Sequence, residues 1–416
     1  MGCKRSTSST GHIQGTPTKR RGCVTSIRSA VCVRCPPRWL LFRVETADGS
    51  VGWGEAIGDL HEELENALNA LGERVQGEDI HDISRLIETH RKSRFWRDGP
   101  ILDSALSALE IALWDLKGKE FGAPIYELLG GKVRDKVRVY RNLWGRDPEE
   151  FAASASEAIS QSMTAVKVSP AGPTPSVVSR ESLRGMVAIV DKIRDSVGPE
   201  IDIAVDLHGR LTPAASRQAV HALSKFDLFF IEEPCLPDGG AVHIADLRAL
   251  RTAQPVAIAT GERLRSPYAF SQHLFPNPVV DIIQPDLSMV GGIQAALNIG
   301  AMASAAQIAL APHCPYGPVQ LAASLQLAAS CPSHLIQEFQ SLGGAGSGGG
   351  IPGGGQNWAF DLLEQSFEIE NGHVDVPPKP GLGISVLEEE IGEYMAMWNP
   401  HPPTVWSHPD GSYAEW

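Results

Sequence analysis

Three acids stand at the ends of short apolar runs. Asp206 closes Ile201–Val205, Glu232 closes Leu228–Ile231, and Glu262 follows Pro255–Ile258. Apolar runs without polar alternation are what parallel strands buried on both faces require, and such strands have no structural need to end in acids. On neighbouring strands of a parallel barrel, the three carboxylates would converge above the carboxyl-end face, where barrel chemistry sits. Three hard oxygen donors suit Mg²⁺, which keeps positions for water or substrate. Taken singly, each acid could equally cap the next helix or pair with a neighbour such as Arg263. Three on adjacent strands favour the ion.

Other polar residues extend the pattern. His208 lies two residues past Asp206 and so shares its face of the strand. His313 follows Ile308–Ala311 and Asp286 follows Val280–Ile283, which places a His–Asp pair on adjacent strands. Such a carboxylate raises imidazole basicity and fixes its tautomer. Lys167 and Glu338 stand at the ends of Ala165–Val168 and Leu335–Ile336. This set suits proton abstraction next to a carboxylate. That step puts a second negative charge beside an anion, so a divalent cation must stabilise the enediolate while a Lys or His takes the proton.

The elements that must position these groups are a repeated strand–helix unit. Val137–Leu143 opens the series, and seven further apolar runs follow it, with helical segments such as Ser182–Ser196 and Pro213–Phe226 between them. Eight such runs predict an α/β barrel of the TIM type over residues 137–365. Residues 22–136 read as an α+β module. Its strands are Val24–Val33 and Leu40–Thr46, joined across Pro36-Pro37, with a turn at Ala47–Ser50. Helical spacing covers Glu63–Arg74 and Asp103–Phe121. Residues 366–416 break the rhythm, and this Pro- and Trp-rich tail is expected to pack back on the first module.

Composition narrows the partners. The 416 residues carry a net charge of -13, which argues against a nucleic-acid partner but not against a small anion in a locally positive pocket. No apolar run reaches the roughly 18 residues a membrane span needs, so a cytoplasmic enzyme is expected. Seven cysteines spread over the chain do not form a disulfide framework, and Cys32-x-x-Cys35 reads as two small apolar strand residues. The first 43 residues hold nine Lys and Arg and no acid. Within them, residues 1–21 are expected to be a disordered basic extension. Its start, Met1-Gly2-Cys3-Lys4-Arg5-Ser6, matches the myristoylation pattern, with Cys3 placed for a second acyl chain. Membrane attachment follows only if Gly2 and Cys3 are lipidated, and the same composition suits a transit peptide or a gene-model leader.

Several segments together are specific where each alone is not. They are Pro36-Pro37-Arg38-Trp39, Gly52-Trp53-Gly54-Glu55, Gly99-Pro100-Ile101-Leu102, Asp206-Leu207-His208-Gly209-Arg210 and Ile231-Glu232-Glu233-Pro234. Gly261-Glu262-Arg263, Gln284-Pro285-Asp286-Leu287-Ser288, Ala311-Pro312-His313-Cys314-Pro315 and the closing Ala414-Glu415-Trp416 complete the set. From residue 22 onward the chain resembles the enolase superfamily, in its mandelate racemase-like branch, and within it the galactonate dehydratase group of sugar-acid dehydratases. The resemblance implies a modified TIM barrel, (β/α)7β, under an N-terminal α+β capping domain completed by the C-terminal tail. It implies Mg²⁺ on Asp206, Glu232 and Glu262, and His313 with Asp286 as the base for the C2 proton. His208 would protonate the leaving C3 hydroxyl, and Glu338 would stabilise the enediolate. The product would be a 2-keto-3-deoxy acid from an aldonate, made by a homo-oligomer.

Racemase and cycloisomerase relatives carry Lys-x-Lys where this chain has Lys167-Val168-Ser169, which favours dehydration over two-base racemisation. A racemase or epimerase of a 2-hydroxy acid, or a catalytically degenerate scaffold, are the alternatives. Lys167, Ser169, Arg210, His61 and Arg97 are candidate substrate contacts. His61, Arg94 and Arg97 lie in loops expected over the barrel mouth and could equally be solvated. The chain departs from the group at Ser169, at Met289, and at the glycine-rich stretch Gly343–Gly355. These departures leave the sugar open.

Overall fold

The computed structural model describes residues 25–236, 241–253, 255–339, 362–398 and 405–415. The basic extension with Gly2 and Cys3, the glycine-rich stretch and Trp416 lie outside them.

Three antiparallel strands open the chain: β1 (Ile27–Cys35), β2 (Trp39–Thr46) and β3 (Val51–Glu55), in that order in one sheet. The first turn falls at Pro36-Pro37-Arg38 and the second at Asp48-Gly49, as the turn residues predict. Helices α1 (His61–Val75), α2 (Ile83–Lys92), α3 (Pro100–Phe121) and α4 (Ile125–Leu128) follow. α2 is short, with Ile83, Leu86 and Ile87 buried at helical spacing, and was not among the expected helices. α3 starts on Pro100 and ends at left-handed Gly122, the Pro-first, Gly-last arrangement of helix ends. It is buried almost all round because it packs on β3 on one side and on a barrel helix on the other.

The barrel runs β4 (Lys136–Asn142), α5 (Pro148–Ser160), β5 (Ala165–Val168), α6 (Arg180–Val197), β6 (Asp202–Asp206), α7 (Pro213–Leu223), β7 (Phe230–Glu232) and α8 (Ala241–Ala253). It continues with β8 (Ala257–Thr260), α9 (Pro267–Leu274), β9 (Ile282–Ile283), α10 (Gly292–Ala305), β10 (Ala309–Leu310), α11 (Pro318–Ser330) and β11 (Gln337–Glu338). Eight strands with seven intervening helices are the (β/α)7β order. β4 to β10 pair in sequence as parallel neighbours, and β11 pairs with β4. The ring closes because Leu310 of β10 exchanges backbone bonds with Ser333 (2.9 Å) and Leu335 (2.7 Å), just before β11. Asp147, Ser179, Thr212 and Ser266 cap α5, α6, α7 and α9 through their side chains, each accepting from the backbone N–H three residues on.

The barrel is filled. Tyr140, Ala165, Ala204, Phe230, Ala259, Ile282, Ala311 and Ile336 form one buried cluster, a residue from each strand or its edge. Large and small side chains mix so that the layer closes without a channel. The last strand is displaced from its apolar run. Leu335–Ile336 was the expected strand, but Leu335 is 39% exposed and pairing passes to Gln337–Glu338.

The C-terminal segment divides its contacts. The hairpin β12 (Ile369–Glu370) and β13 (His373–Asp375) adds antiparallel to the start of β4, on the barrel. Residues beyond it meet the first module: Gly381 exchanges backbone bonds with Ala123 and Ile125, and Leu382 N–H donates to Asp115. α12 (Glu388–Tyr394) adds Glu388, paired with Arg43, and a short pair, β14 (Trp406–Ser407) with β15 (Tyr413–Ala414), ends the described chain.

Candidate active site

The strand ends bring Asp206, Glu232 and Glu262 together. One carboxylate oxygen from each lies within 4.8 Å of the other two. Asp206 and Glu232 are the last residues of β6 and β7 and pair in register. Glu262 hangs two residues beyond β8, past Gly261, whose φ of +140° and crowding by Phe270 and Gln284 exclude a side chain there. Two further residues take positive φ, His208 at +51° and Glu233 at +40°. Such backbone is costly outside glycine and collects at functional sites. Here it follows directly from turning the chain away just past a ligand.

Each acid has a holder. His208 N–H donates to Asp206 Oδ1 at 2.7 Å. Lys167 Nζ donates to both Glu232 oxygens at 2.9 Å, and lies 3.0 Å from Glu338 Oε1 and 3.6 Å from Asp206 Oδ2. Glu233 turns the other way, accepting from Thr260 Oγ1 (2.7 Å) and Gly261 N–H (2.8 Å), and so steadies the segment that carries Glu262. Burial pushes Glu232 up to about 7, reinforced by Asp206 and Glu338 and opposed by Lys167. Burial also raises Glu262 well above the carboxylate range. Among the described residues, no hydrogen-bond donor reaches the buried Oε2 of Glu262. Crowded, desolvated carboxylates with an unused oxygen are a donor set for a hard divalent cation.

The histidines stand just past β6 and β10, strands opposite each other in an eight-strand ring. His313 Nδ1 is 2.7 Å from Asp286 Oδ2, and its Nε2 is 3.5 Å from Glu262 Oε2. Asp286 Oδ1 accepts from Ser288 N–H and Gln320 Nε2, both at 2.7 Å. Burial disfavours the imidazolium of His313, but Glu262, Glu338 and Asp286 outweigh it and raise the pKa to about 10. His208 goes the other way: burial, then Arg210 and Lys167, hold it well below the ordinary value. Its Nε2 lies 3.3 Å from Asp206 Oδ2. Glu338 accepts from Asn142 Nδ2 (2.7 Å) and Cys314 N–H (2.6 Å) as well as Lys167. Burial alone would raise its pKa, yet Lys167 and His313 bring it down to about 2.

The remaining candidates scatter. Ser169 is half-buried just past β5. Arg210 is buried, donates to the Ala171 carbonyl at 2.8 Å, and lies over the Trp406 ring at 4.6 Å. His61 is buried, with Nε2 at 2.7 Å from the Arg38 carbonyl and its ring against the edge of Trp398. Arg94 and Arg97 are exposed, beside Phe95 and Trp96. Their loop leads to Asp103, which meets Arg265 beyond Glu262 at 3.5 Å. Asn142, Gln320 and Glu55 are site neighbours that strand-end reasoning passed over.

Two family models cover this architecture. Residues 19–130 match the mandelate racemase / muconate lactonizing enzyme N-terminal domain, and residues 150–390 match the enolase C-terminal domain-like model. The chain belongs to the enolase superfamily. As a superfamily member of the mandelate racemase-like branch, it is 36% identical over 386 residues to a D-galactonate dehydratase of Variovorax paradoxus, covering 92% of this chain and 98% of that one. A D-galactonate dehydratase of Pectobacterium atrosepticum is 35% identical over 384 residues, with the same coverage. Among solved structures, a mandelate racemase/muconate lactonizing enzyme from Sulfitobacter sp. superposes with a TM-score of 0.79 at 30% identity, over 88% of this chain and 94% of that one. One from Jannaschia sp. CCS1 gives 0.77, also at 30% identity, over 88% and 97%. In this superfamily member the acid triad offers a donor set that would suit a divalent metal ion.

Proposed function

We propose that this chain is a hydro-lyase that dehydrates an aldonate, of the galactonate dehydratase kind, with Mg²⁺ held by Asp206, Glu232 and Glu262. Bound there, the ion supplies positive charge beside the substrate carboxylate and so stabilises the enediolate. The observation that carries the reading is His313: one ring nitrogen is fixed on Asp286 and the other faces the acid cluster.

His313 Nε2 takes the C2 proton, and Asp286 stabilises the imidazolium that forms. His208, across the mouth, gives a proton to the C3 hydroxyl, which leaves as water while the C2–C3 double bond forms. The resulting enol tautomerises to the 2-keto-3-deoxy acid. His208 is neutral at rest, and an anionic substrate beside it favours its charged, donating form. Lys167 and Glu338 form an ionised pair beside the triad, so Lys167 is the group with protons to offer the substrate carboxylate. Ser169 and Arg210 line the same end of the barrel. A homo-oligomer acting on a free sugar acid is part of this reading.

The test is D-galactonate with a panel of other aldonates and Mg²⁺, read as α-keto acid formation. Product from at least one, lost in His313→Asn, is the expected result. No product from any of them, with no C2 proton exchange in D₂O, would overturn the reading. Exchange without loss of water would point to racemisation or epimerisation instead.

A further inference from the structure

We propose that Gln320 is a positioning residue for the base, and that the capping domain sets it through Glu55. The inference rests on the assignment of His313 and Asp286 above.

Gln320 is the third residue of α11, fully buried. Its Nε2 donates to Asp286 Oδ1 at 2.7 Å, and Ser288 N–H donates to the same oxygen. Two donors on Oδ1 fix the carboxylate plane and leave Oδ2 for His313 Nδ1. The arrangement costs something, because Gln320 Oε1 is buried with no hydrogen-bond partner among the described residues. A helix packed on a barrel would take an apolar side chain here without that penalty. The amide is explained by the carboxylate it touches.

The first turn of α11 is itself held from the other domain. Glu55, the last residue of β3, is fully buried and accepts from Gln320 N–H at 2.8 Å and from Gly317 N–H. Gly317 can be nothing larger: a methyl group there would lie 2.5 Å from Glu55 Oε1 and 2.9 Å from the Trp39 ring. A continuous path of hydrogen bonds therefore runs Glu55, Gln320, Asp286, His313. It enters the barrel at a point that touches none of the three acid ligands. The capping domain orients the imidazole from behind.

The experiment uses the full chain loaded with Mg²⁺, with D-galactonate as substrate. Gln320→Leu keeps the volume and removes the donor. Its kcat is expected to fall roughly 10- to 100-fold, the usual cost of losing an outer partner, with KM and Mg²⁺ affinity little changed. In an Asp286→Asn background the same substitution is expected to cost nothing further, since the two act as one unit. The Nδ1–H proton resonance of His313, assigned by its loss in His313→Asn and recorded without substrate, is expected to move in Gln320→Leu. Glu55→Gln is expected to move it the same way. Wild-type kcat with an unmoved resonance in Gln320→Leu overturns the positioning role, as does an equal loss with and without Asp286. If His313→Asn or Asp286→Asn keeps full turnover, the base assignment itself has failed. If D-galactonate is not turned over at all, the resonance alone decides the positioning role.

Discussion

The two sides of the mouth are built on different supports. At the ends of β6 to β8, Asp206, Glu232 and Glu262 are held directly by barrel groups: His208 N–H, Lys167 and the Glu233 turn. On β9 and β10, the Asp286–His313 pair is held from α11, and α11 from the capping domain through Glu55. The acids take their direct holders from the barrel, whereas the Asp286–His313 pair is reached from both domains. On the proposed assignment of His313, a capping domain of this design is more than a cover, because part of the proton chemistry then depends on its seating.

The sharpest way to break this comparison is to strike each side separately. His313→Asn is expected to lower kcat by roughly 10²- to 10⁴-fold, the usual worth of a general base, while isothermal titration shows Mg²⁺ binding retained. Glu262→Gln is expected to do the reverse first, weakening Mg²⁺ by more than the roughly 100-fold that an outer partner costs. Turnover at saturating metal would then recover in part. Loss of metal binding in His313→Asn would merge the two sides into one.

Protons sharpen the same division. Without a cation, Glu232 titrates near 7 and His313 near 10, so at neutral pH protons occupy groups the cation must displace or neutralise. Metal affinity is expected to rise with pH through this range and to fall as pH drops below about 7, because protons then compete. Titrations in buffers of different ionisation enthalpy would count the protons released, and none released would refute it. Removing the internal cation has the opposite character. Lys167→Met leaves Glu232 and Glu338 unpaired in the interior and is expected to destabilise the metal-free protein by about 3–5 kcal/mol. Saturating Mg²⁺ should restore part of that in a melting experiment. The smallest effect is at the domain seam, where Glu55→Gln is expected to cost about 1–3 kcal/mol for a disturbed buried pair of bonds. It should slow turnover with no change in Mg²⁺ affinity.

What the sequence makes legible follows the same line. A buried parallel strand has no reason to end in Asp206 or Glu232, so those positions stand out, and Asp286 with His313 follows from strand adjacency. The eight-strand barrel was readable for the same reason, from runs without polar alternation, while its (β/α)7β form came from the family resemblance. Gln320 was not readable, because a Gln in the first turn of a helix is ordinary and its partner Glu55 is 265 residues away. His61 sat in a loop expected over the mouth, but the tail covers it with Trp398, a contact no local pattern announces. α2 was missed although Ile83, Leu86 and Ile87 stand at helical spacing.

The hairpin at Ile369–Asp375 carries a last consequence, for synthesis. β4 is the first barrel strand to leave the ribosome, yet it pairs with β5, with β11 and with β13. Its final neighbour arrives more than two hundred residues later. Until then one flank of the nascent barrel stays open, and so does the side of the first module that receives Gly381 and Leu382. Such long-range closure makes folding slow and exposes unpaired edges meanwhile. Translation of almost the whole chain is therefore the step that commits both domains at once.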